Sequence, residues 1–307
     1  MEKRKIGSLE VSVVGLGCNN FGKRLRYNET VAVINAAIDA GINFLDTADV
    51  YGGTKSEDFI GGALRERRNE VLIATKFGSR IDDSRKGAKP DYVRRACDDS
   101  LKRLATDHID LYQLHRPDPS TPISDTLGAL GELVREGKVR EIGCSNFSAE
   151  QLREANSAVA AGSVRFVSVQ NEFSLLHREP EKEVIPECRR LGIAFIPYFP
   201  LLSGVLSGKY RKGKHAPPGS RIGSGWNSDI LTDRNLEIVE SLIAFSTSKG
   251  HTILELAISW LVSHDVVASV IAGATRPEQV RGNAGAANWK LTEEEMREVD
   301  KIVGGSI

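Results

Sequence analysis

Four residues stand out for their type and their place in the chain. Asp46, Lys76 and His115 each end a short run of otherwise mostly apolar residues, and Tyr51 lies just beyond the first of them. A phenol ordinarily ionises near pH 10, so efficient proton donation near neutrality requires that its phenolate be stabilised. A cation a few ångströms away does this, and lowering the ionisation by about 2–3 pH units corresponds to roughly 3–4 kcal/mol. The four then describe Tyr51 as general acid and base, Lys76 as the tuning cation, Asp46 as the lysine's partner and His115 as the group aligning a substrate oxygen. Singly, each has an ordinary reading: Asp46-Thr47 as a turn, Lys76 as a solvated loop lysine, His115 as a satisfied core histidine. All four in register at the ends of neighbouring strands favour the chemical one.

Such convergence needs elements that bring strand ends together. Eight short apolar runs recur: Val11–Gly17, Asn43–Thr47, Val71–Lys76, Ile109–His115, Val139–Ser145, Phe166–Asn171, Ile193–Tyr198 and Val267–Ala272. They are short and rich in Val and Ile, as strands covered on both faces are. Helical stretches alternate with them. Thr30–Ala40 stops at Gly41, Pro90 opens Asp91–Leu104, and Ser148 with Gln151 forms a capping box. Glu179–Leu191, Ile253–Val262, Pro277–Gly285 and Glu293–Val303 (with Thr292 as N-cap) supply further helices. Eight such units in about 250 residues predict a (β/α)₈ TIM barrel, an α/β fold whose working groups sit at the C-terminal strand ends. A small β-hairpin, Lys5–Ser12, precedes it, and additional helices lie near the C-terminus. A doubly wound dinucleotide fold is disfavoured because Gly15-x-Gly17 is followed by Asn20 where a third glycine belongs. The whole of 1–307 reads as one domain, with one long irregular segment, roughly Ser203–Asp233, as a candidate lid or binding loop.

Composition narrows the class. The 41 Lys plus Arg balance 41 Asp plus Glu, removing the electrostatic case for nucleic acid or an anionic membrane. No apolar run is long enough for a span, and the N-terminus has no apolar signal core. Cys18, Cys97, Cys144 and Cys188 are too few and too scattered for a disulfide framework or a metal site. The expectation is a cytoplasmic enzyme without a metal, acting on a small molecule, with a homo-oligomer left open.

Phe44-Leu-Asp46-Thr-Ala-Asp-Val-Tyr51-Gly, Thr75-Lys76-Phe-Gly78 and Leu114-His115-Arg-Pro-Asp118 resemble the three tetrad motifs of the aldo-keto reductase superfamily. The similarity runs from Gly15-Leu-Gly17 through Gly273–Gln279 and is greater to the bacterial stress-protein and potassium-channel β-subunit-like branch. The resemblance implies NADPH-dependent reduction of aldehydes or ketones, with NADH a weaker alternative. It places the nicotinamide carboxamide on Ser145, Asn146 and Gln170 and the ring on Tyr198. The pyrophosphate falls to the segment after strand seven, including Pro200, Leu201, Ser203, Gly204 and Lys209. Cys18 and Asn19 flank the same channel. Gly273, Thr275, Arg276, Gln279 and Asn283 would hold the adenosine end, with Arg276 for the 2′-phosphate and Arg221 as a second cation. Asn20, Phe21 and Trp226 are candidates for the substrate pocket, Trp289 for its rim, and Asp82–Pro90 for a cover. One rival is a nucleotide-sensing protein that binds NADPH with slow turnover, which His115 disfavours. Another is a Schiff-base aldolase or isomerase using Lys76, which the neighbouring Asp46 disfavours by keeping the lysine charged.

Overall fold

The computed structural model describes residues 1–159, 163–223, 225 and 228–304. Two antiparallel strands, β1 (Lys3–Ile6) and β2 (Leu9–Ser12), form the expected hairpin about Gly7-Ser8. Eight parallel strands then close into a barrel: β3 (Val14–Gly17), β4 (Phe44–Asp46), β5 (Leu72–Phe77), β6 (Ile109–Leu114), β7 (Val139–Ser145), β8 (Ser168–Glu172), β9 (Ala194–Tyr198) and β10 (Val270–Gly273). They neighbour one another in chain order, and β10 returns to pair with β3, Val270 opposite Val14. The fold is the (β/α)₈ TIM barrel that the alternation predicts.

Ile6, Leu9 and Val11 of the hairpin pack in one buried cluster with Phe44, Leu111 and Ile196 of the barrel interior. The hairpin thus plugs the end at which strands begin, and any chemistry is left to the end at which they finish. A larger apolar layer fills the space between barrel and helices. Those helices are α1 (Tyr27–Asp39), α2 (Lys55–Ala63), α3 (Pro90–Leu104), α4 (Ile123–Arg135), α5 (Ala149–Ser157), α6 (Val184–Leu191), α7 (Asp233–Ser248), α8 (Ile253–Val262), α9 (Pro277–Gly285) and α10 (Glu293–Val303). Pro90 stands in the first turn of α3, the Ser148–Gln151 capping box closes and Thr292 caps α10, as the sequence implies; Glu295 adds a second capping box there.

Several boundaries differ from the sequence reading. The apolar run Val11–Gly17 is shared between the hairpin and the first barrel strand, because β2 ends at Ser12 and β3 begins at Val14. The run beginning at Val267 joins the barrel only from Val270; Val267 itself makes an isolated bridge to Phe195. Glu179–Leu191 is broken into a 3₁₀ turn, Glu179–Glu181, and α6. Pro186 has no N–H and is tolerated only in a first turn, so the helix must restart shortly before it. Helices α2, α4 and α7 were not read from the sequence. In α2 the pattern is obscured by Gly61-Gly62, yet Gly61 is required. A Cβ there would come within 2.5 Å of the Arg103 carbonyl, so α2 lies against α3 only because that side chain is missing.

Candidate active site

Strands β4, β5 and β6 are adjacent, and their ends carry Asp46, Lys76 and, one residue past β6, His115. The Lys76 ammonium is fully buried and donates to both carboxylate oxygens of Asp46, at 2.8 and 2.7 Å, and to the Thr47 carbonyl at 2.8 Å. Burial alone would drive an ammonium neutral. The Asp46 carboxylate, by its charge and its two hydrogen bonds, outweighs that and raises the Lys76 pKa above its ordinary value. Lys76 is therefore charged, and the Schiff-base scheme loses its neutral amine.

The loop after β4 turns Tyr51 back over this pair. Asp49 N–H donates to the Lys76 carbonyl (3.0 Å), and Thr47 Oγ1 and Ser56 Oγ bond at 2.8 Å. Ser56 Oγ in turn donates to the Cys18 carbonyl at 3.1 Å. Gly52 follows Tyr51 at φ 61°, and a Cβ there would collide with the Phe21 carbonyl, so glycine is needed at that turn. The result sets the Lys76 ammonium 5.3 Å from the Tyr51 ring centroid and the His115 ring 5.8 Å away on the edge, the planes at 82°.

The electrostatics correct one expectation. Desolvation raises the Tyr51 pKa above its ordinary value; Lys76 pulls it down, but not enough to reverse the sign. The physical reason is that the lysine's charge is already matched by the bidentate contact with Asp46. Tyr51 is therefore a protonated phenol throughout the neutral range. Burial, then the positive charges of Lys76 and Arg116, depress His115 to about 3, leaving it a neutral imidazole, with Nδ1 buried and lacking a hydrogen-bond partner.

A cavity of about 600 Å³ opens over these groups and extends along β7 to β10. Asp46, Tyr51 and His115 line it, and Lys76 lies behind them. Ser145, Asn146, Gln170 and Tyr198 form its polar side. Ser145 Oγ donates to the Gln170 carbonyl (2.7 Å), Asn146 Nδ2 to the His115 carbonyl (2.9 Å), and Tyr198 OH to Asn146 Oδ1 (2.8 Å). Gln170 Nε2 donates 2.8 Å to Asp46 Oδ1, an attachment to the ion pair that the sequence did not indicate. Pro200, Leu201, Ser203, Gly204 and Lys209 wall the next stretch, where Leu202, Ser203 and Gly204 adopt left-handed φ of 42°, 58° and 93° in succession. The Leu202 and Gly204 N–H groups donate to the Phe199 and Leu201 carbonyls, at 2.9 and 2.8 Å, which fixes this tight turn. Ser203 Oγ is buried there without a hydrogen-bond partner. An open channel with one polar side, a cation and an unsatisfied hydroxyl fits a dinucleotide.

The remaining candidates divide. Cys18, Asn19, Asn20, Arg221, Gly273, Thr275, Gln279 and Asn283 line the cavity, with Arg221 donating to Asn20 Oδ1 at 3.1 Å. Arg276 does not: it is the exposed N-cap residue of α9, next to Thr275. Phe21 is wholly buried in the core between barrel and helices and does not line the pocket. Trp289 stacks on His251 at 4.2 Å in the helical layer, and none of Asp82–Pro90 reaches the wall. Trp226 lies outside the described residues. Residues not singled out from the sequence include Arg24, Arg116, Phe199 and Glu278. Arg116 and Phe199 directly follow His115 and Tyr198, and that adjacency is the signal that could have found them. Among the described residues, no cluster of His, Cys, Asp or Glu is placed to hold a metal, and no helix is long and apolar enough to cross a membrane.

The model of the aldo/keto reductase family matches residues 13–303. The chain belongs to that family. Across 97% of its length it is 37% identical to a probable aldo-keto reductase 1 of Glycine max, covering 88% of that protein. A glycerol dehydrogenase from Gluconobacter oxydans superposes with a TM-score of 0.86 at 29% identity, over 98% of this chain and 94% of the other. The family's chemistry is carbonyl reduction, and its members use nicotinamide cofactors.

Proposed function

We propose that this chain reduces aldehydes or ketones to alcohols, with NADPH as the cofactor and Tyr51 as the proton donor. The observation that carries the reading is the convergence of four groups: the buried Lys76–Asp46 pair, with the Tyr51 ring 5.3 Å from the ammonium and 5.8 Å from His115. Reduced nicotinamide, when bound, supplies hydride to a carbonyl carbon. Tyr51 then gives its phenolic proton to the carbonyl oxygen, and the charged Lys76 stabilises the phenolate that remains. Asp46 keeps that ammonium in place and charged. Neutral His115 offers an N–H to the same oxygen and fixes its position.

Ser145, Asn146 and Gln170 would hold the carboxamide and Tyr198 would pack on the ring. Ser203, Gly204 and Lys209 would take the pyrophosphate. Thr275, Gln279 and Asn283 would take the adenosine, with Arg221 as the cation on the cavity wall for a 2′-phosphate and Arg276, exposed next to Thr275, as a second cation outside that wall.

The test is NADPH oxidation with a panel of aldehydes and ketones, in wild type and Tyr51→Phe. The variant should bind NADPH as wild type does and lose turnover by about 10²-fold or more, the usual worth of a positioned acid. Near-wild-type turnover in Tyr51→Phe would refute the assignment. Tight NADPH binding with no substrate turned over would favour the nucleotide-sensing alternative.

A further inference from the structure

The cavity wall is unevenly charged. Arg24, Arg116, Lys209 and Arg221 line it against only two carboxylates, Asp46 and Glu278, and Asp46 is already matched by Lys76 directly behind it. Three of these cations belong to one region. Lys209 and Arg221 lie on the segment after β9, and Arg24 donates to the Gly219 carbonyl of that segment at 3.2 Å. Arg116 stands apart. It follows His115 at the end of β6, which in the barrel is separated from β9 by β7 and β8. It acts electrostatically on the His115 imidazole and the Tyr198 phenol, and so stands at the catalytic end of the cavity. Among the described residues it makes no hydrogen bond and no ion pair. Glu172, which also acts on Tyr198, forms no ion pair with it and does not line the cavity.

We propose that the substrates this site prefers carry an anionic group, a carboxylate or a phosphate, which Arg116 binds while the carbonyl lies at Tyr51 and His115. The proposal rests on the reductase reading above and specifies its substrate class. A guanidinium presents a planar fork of donors that matches either anion, and such charge-assisted contacts orient as well as attract. Arg116 is exposed, so the bound anion keeps part of its hydration and contact with solvent. The anionic group takes no part in the reaction: the carbonyl carbon gains hydride, its oxygen gains a proton, and the charge is unchanged. A neutral carbonyl reaches the same tetrad without this anchor.

Matched substrates test it: succinic semialdehyde against butanal, and glyceraldehyde against its phosphate ester, with wild type, Arg116→Gln and Arg116→Lys. In wild type, kcat/KM for at least one anionic member should exceed its neutral partner by about tenfold or more, and the advantage should shrink as salt is raised. Which pair shows it distinguishes carboxylate from phosphate. Arg116→Gln should bring that ratio to near one through KM, with the neutral aldehyde and NADPH binding little changed. Arg116→Lys should retain part of it. Ratios near one in wild type for both pairs, with the neutral aldehydes turned over, would overturn this inference alone. A preference that survives Arg116→Gln would do the same. Failure of every aldehyde to oxidise NADPH would bring down the reductase reading, and this inference with it.

Discussion

Gln170 donates its side-chain amide to Asp46 Oδ1 at 2.8 Å, the same oxygen that accepts from Lys76. The opposite amide orientation would set an oxygen against a buried carboxylate, so this one is chemically required. The family resemblance implies that Gln170 holds the nicotinamide; in the structure its amide completes the shell of the ion pair. With the amide nitrogen engaged, the oxygen is the free partner for a ligand. Gln170→Met removes a buried hydrogen bond to a charged group, worth about 1.5–3 kcal/mol. Thermal unfolding should show a midpoint several degrees lower than wild type. An unchanged midpoint would mean that Asp46 does not depend on this donor.

Asp46 and Lys76 should be strongly coupled. Asp46→Asn leaves a fully buried ammonium with no counter-charge, at a cost of about 3–5 kcal/mol. The pH dependence reverses with it. In wild type the raised lysine pKa contributes stability that is present below about pH 10.4 and lost as pH climbs through the folded value. In Asp46→Asn, desolvation dominates and lowers the lysine pKa, so stability should recover as pH rises toward alkaline values. Urea unfolding of both proteins across the alkaline range checks this; parallel profiles would contradict it.

Asp49 is an unexpected titrating group. It is buried on the loop between Asp46 and Tyr51, and one of its oxygens has no partner. Desolvation first, then the nearby Glu57, raises its pKa to about 7, with Arg103 opposing. A carboxyl whose folded pKa is raised contributes stability at acid pH. That contribution is lost as pH rises from the unfolded value near 4 through the folded value near 7. Asp49→Asn should therefore be more stable than wild type at about pH 8, and the difference should vanish toward about pH 4. Melting temperatures at the two extremes decide it, and a variant less stable than wild type at about pH 8 would show that the carboxylate is needed.

Much of this was legible in the chain. Alternating apolar runs and capped helices specify a barrel, because covered parallel strands leave a strong local pattern. The convergence of Asp46, Lys76 and His115 was legible because each stands at the end of such a run, with Tyr51 just beyond the first. The boundary at Ser12–Val14 was not, since the hairpin strand and the first barrel strand are both buried and the apolar pattern runs through both. Phe21 was misplaced because an aromatic beside a strand end can turn inward to the core or outward to the cavity, and local sequence does not distinguish the two. The Gln170–Asp46 contact spans 124 positions and depends on barrel closure, which no local pattern encodes. The sign of the Tyr51 shift escaped for a related reason. The proximity of Lys76 could be inferred from sequence, but the degree of burial that outweighs it could not.

Those shifts set the pH behaviour of catalysis under the proposed mechanism. Tyr51 is the acid for reduction, and its raised pKa keeps the reactive protonated form present up to and beyond pH 10, with loss only as pH climbs higher. His115, lowered to about 3, stays neutral over the working range and gives no step near its ordinary value of about 6.5. Asp49 is left as the group near the tetrad that titrates around neutrality, at about 7, and its loop carries Tyr51. A step in kcat for aldehyde reduction near pH 7 should therefore belong to Asp49. It should disappear in Asp49→Asn and persist in the residual activity of His115→Gln. If the step instead survives in Asp49→Asn and vanishes with His115→Gln, the histidine ionises near neutrality and the depression assigned to burial and to Lys76 is wrong.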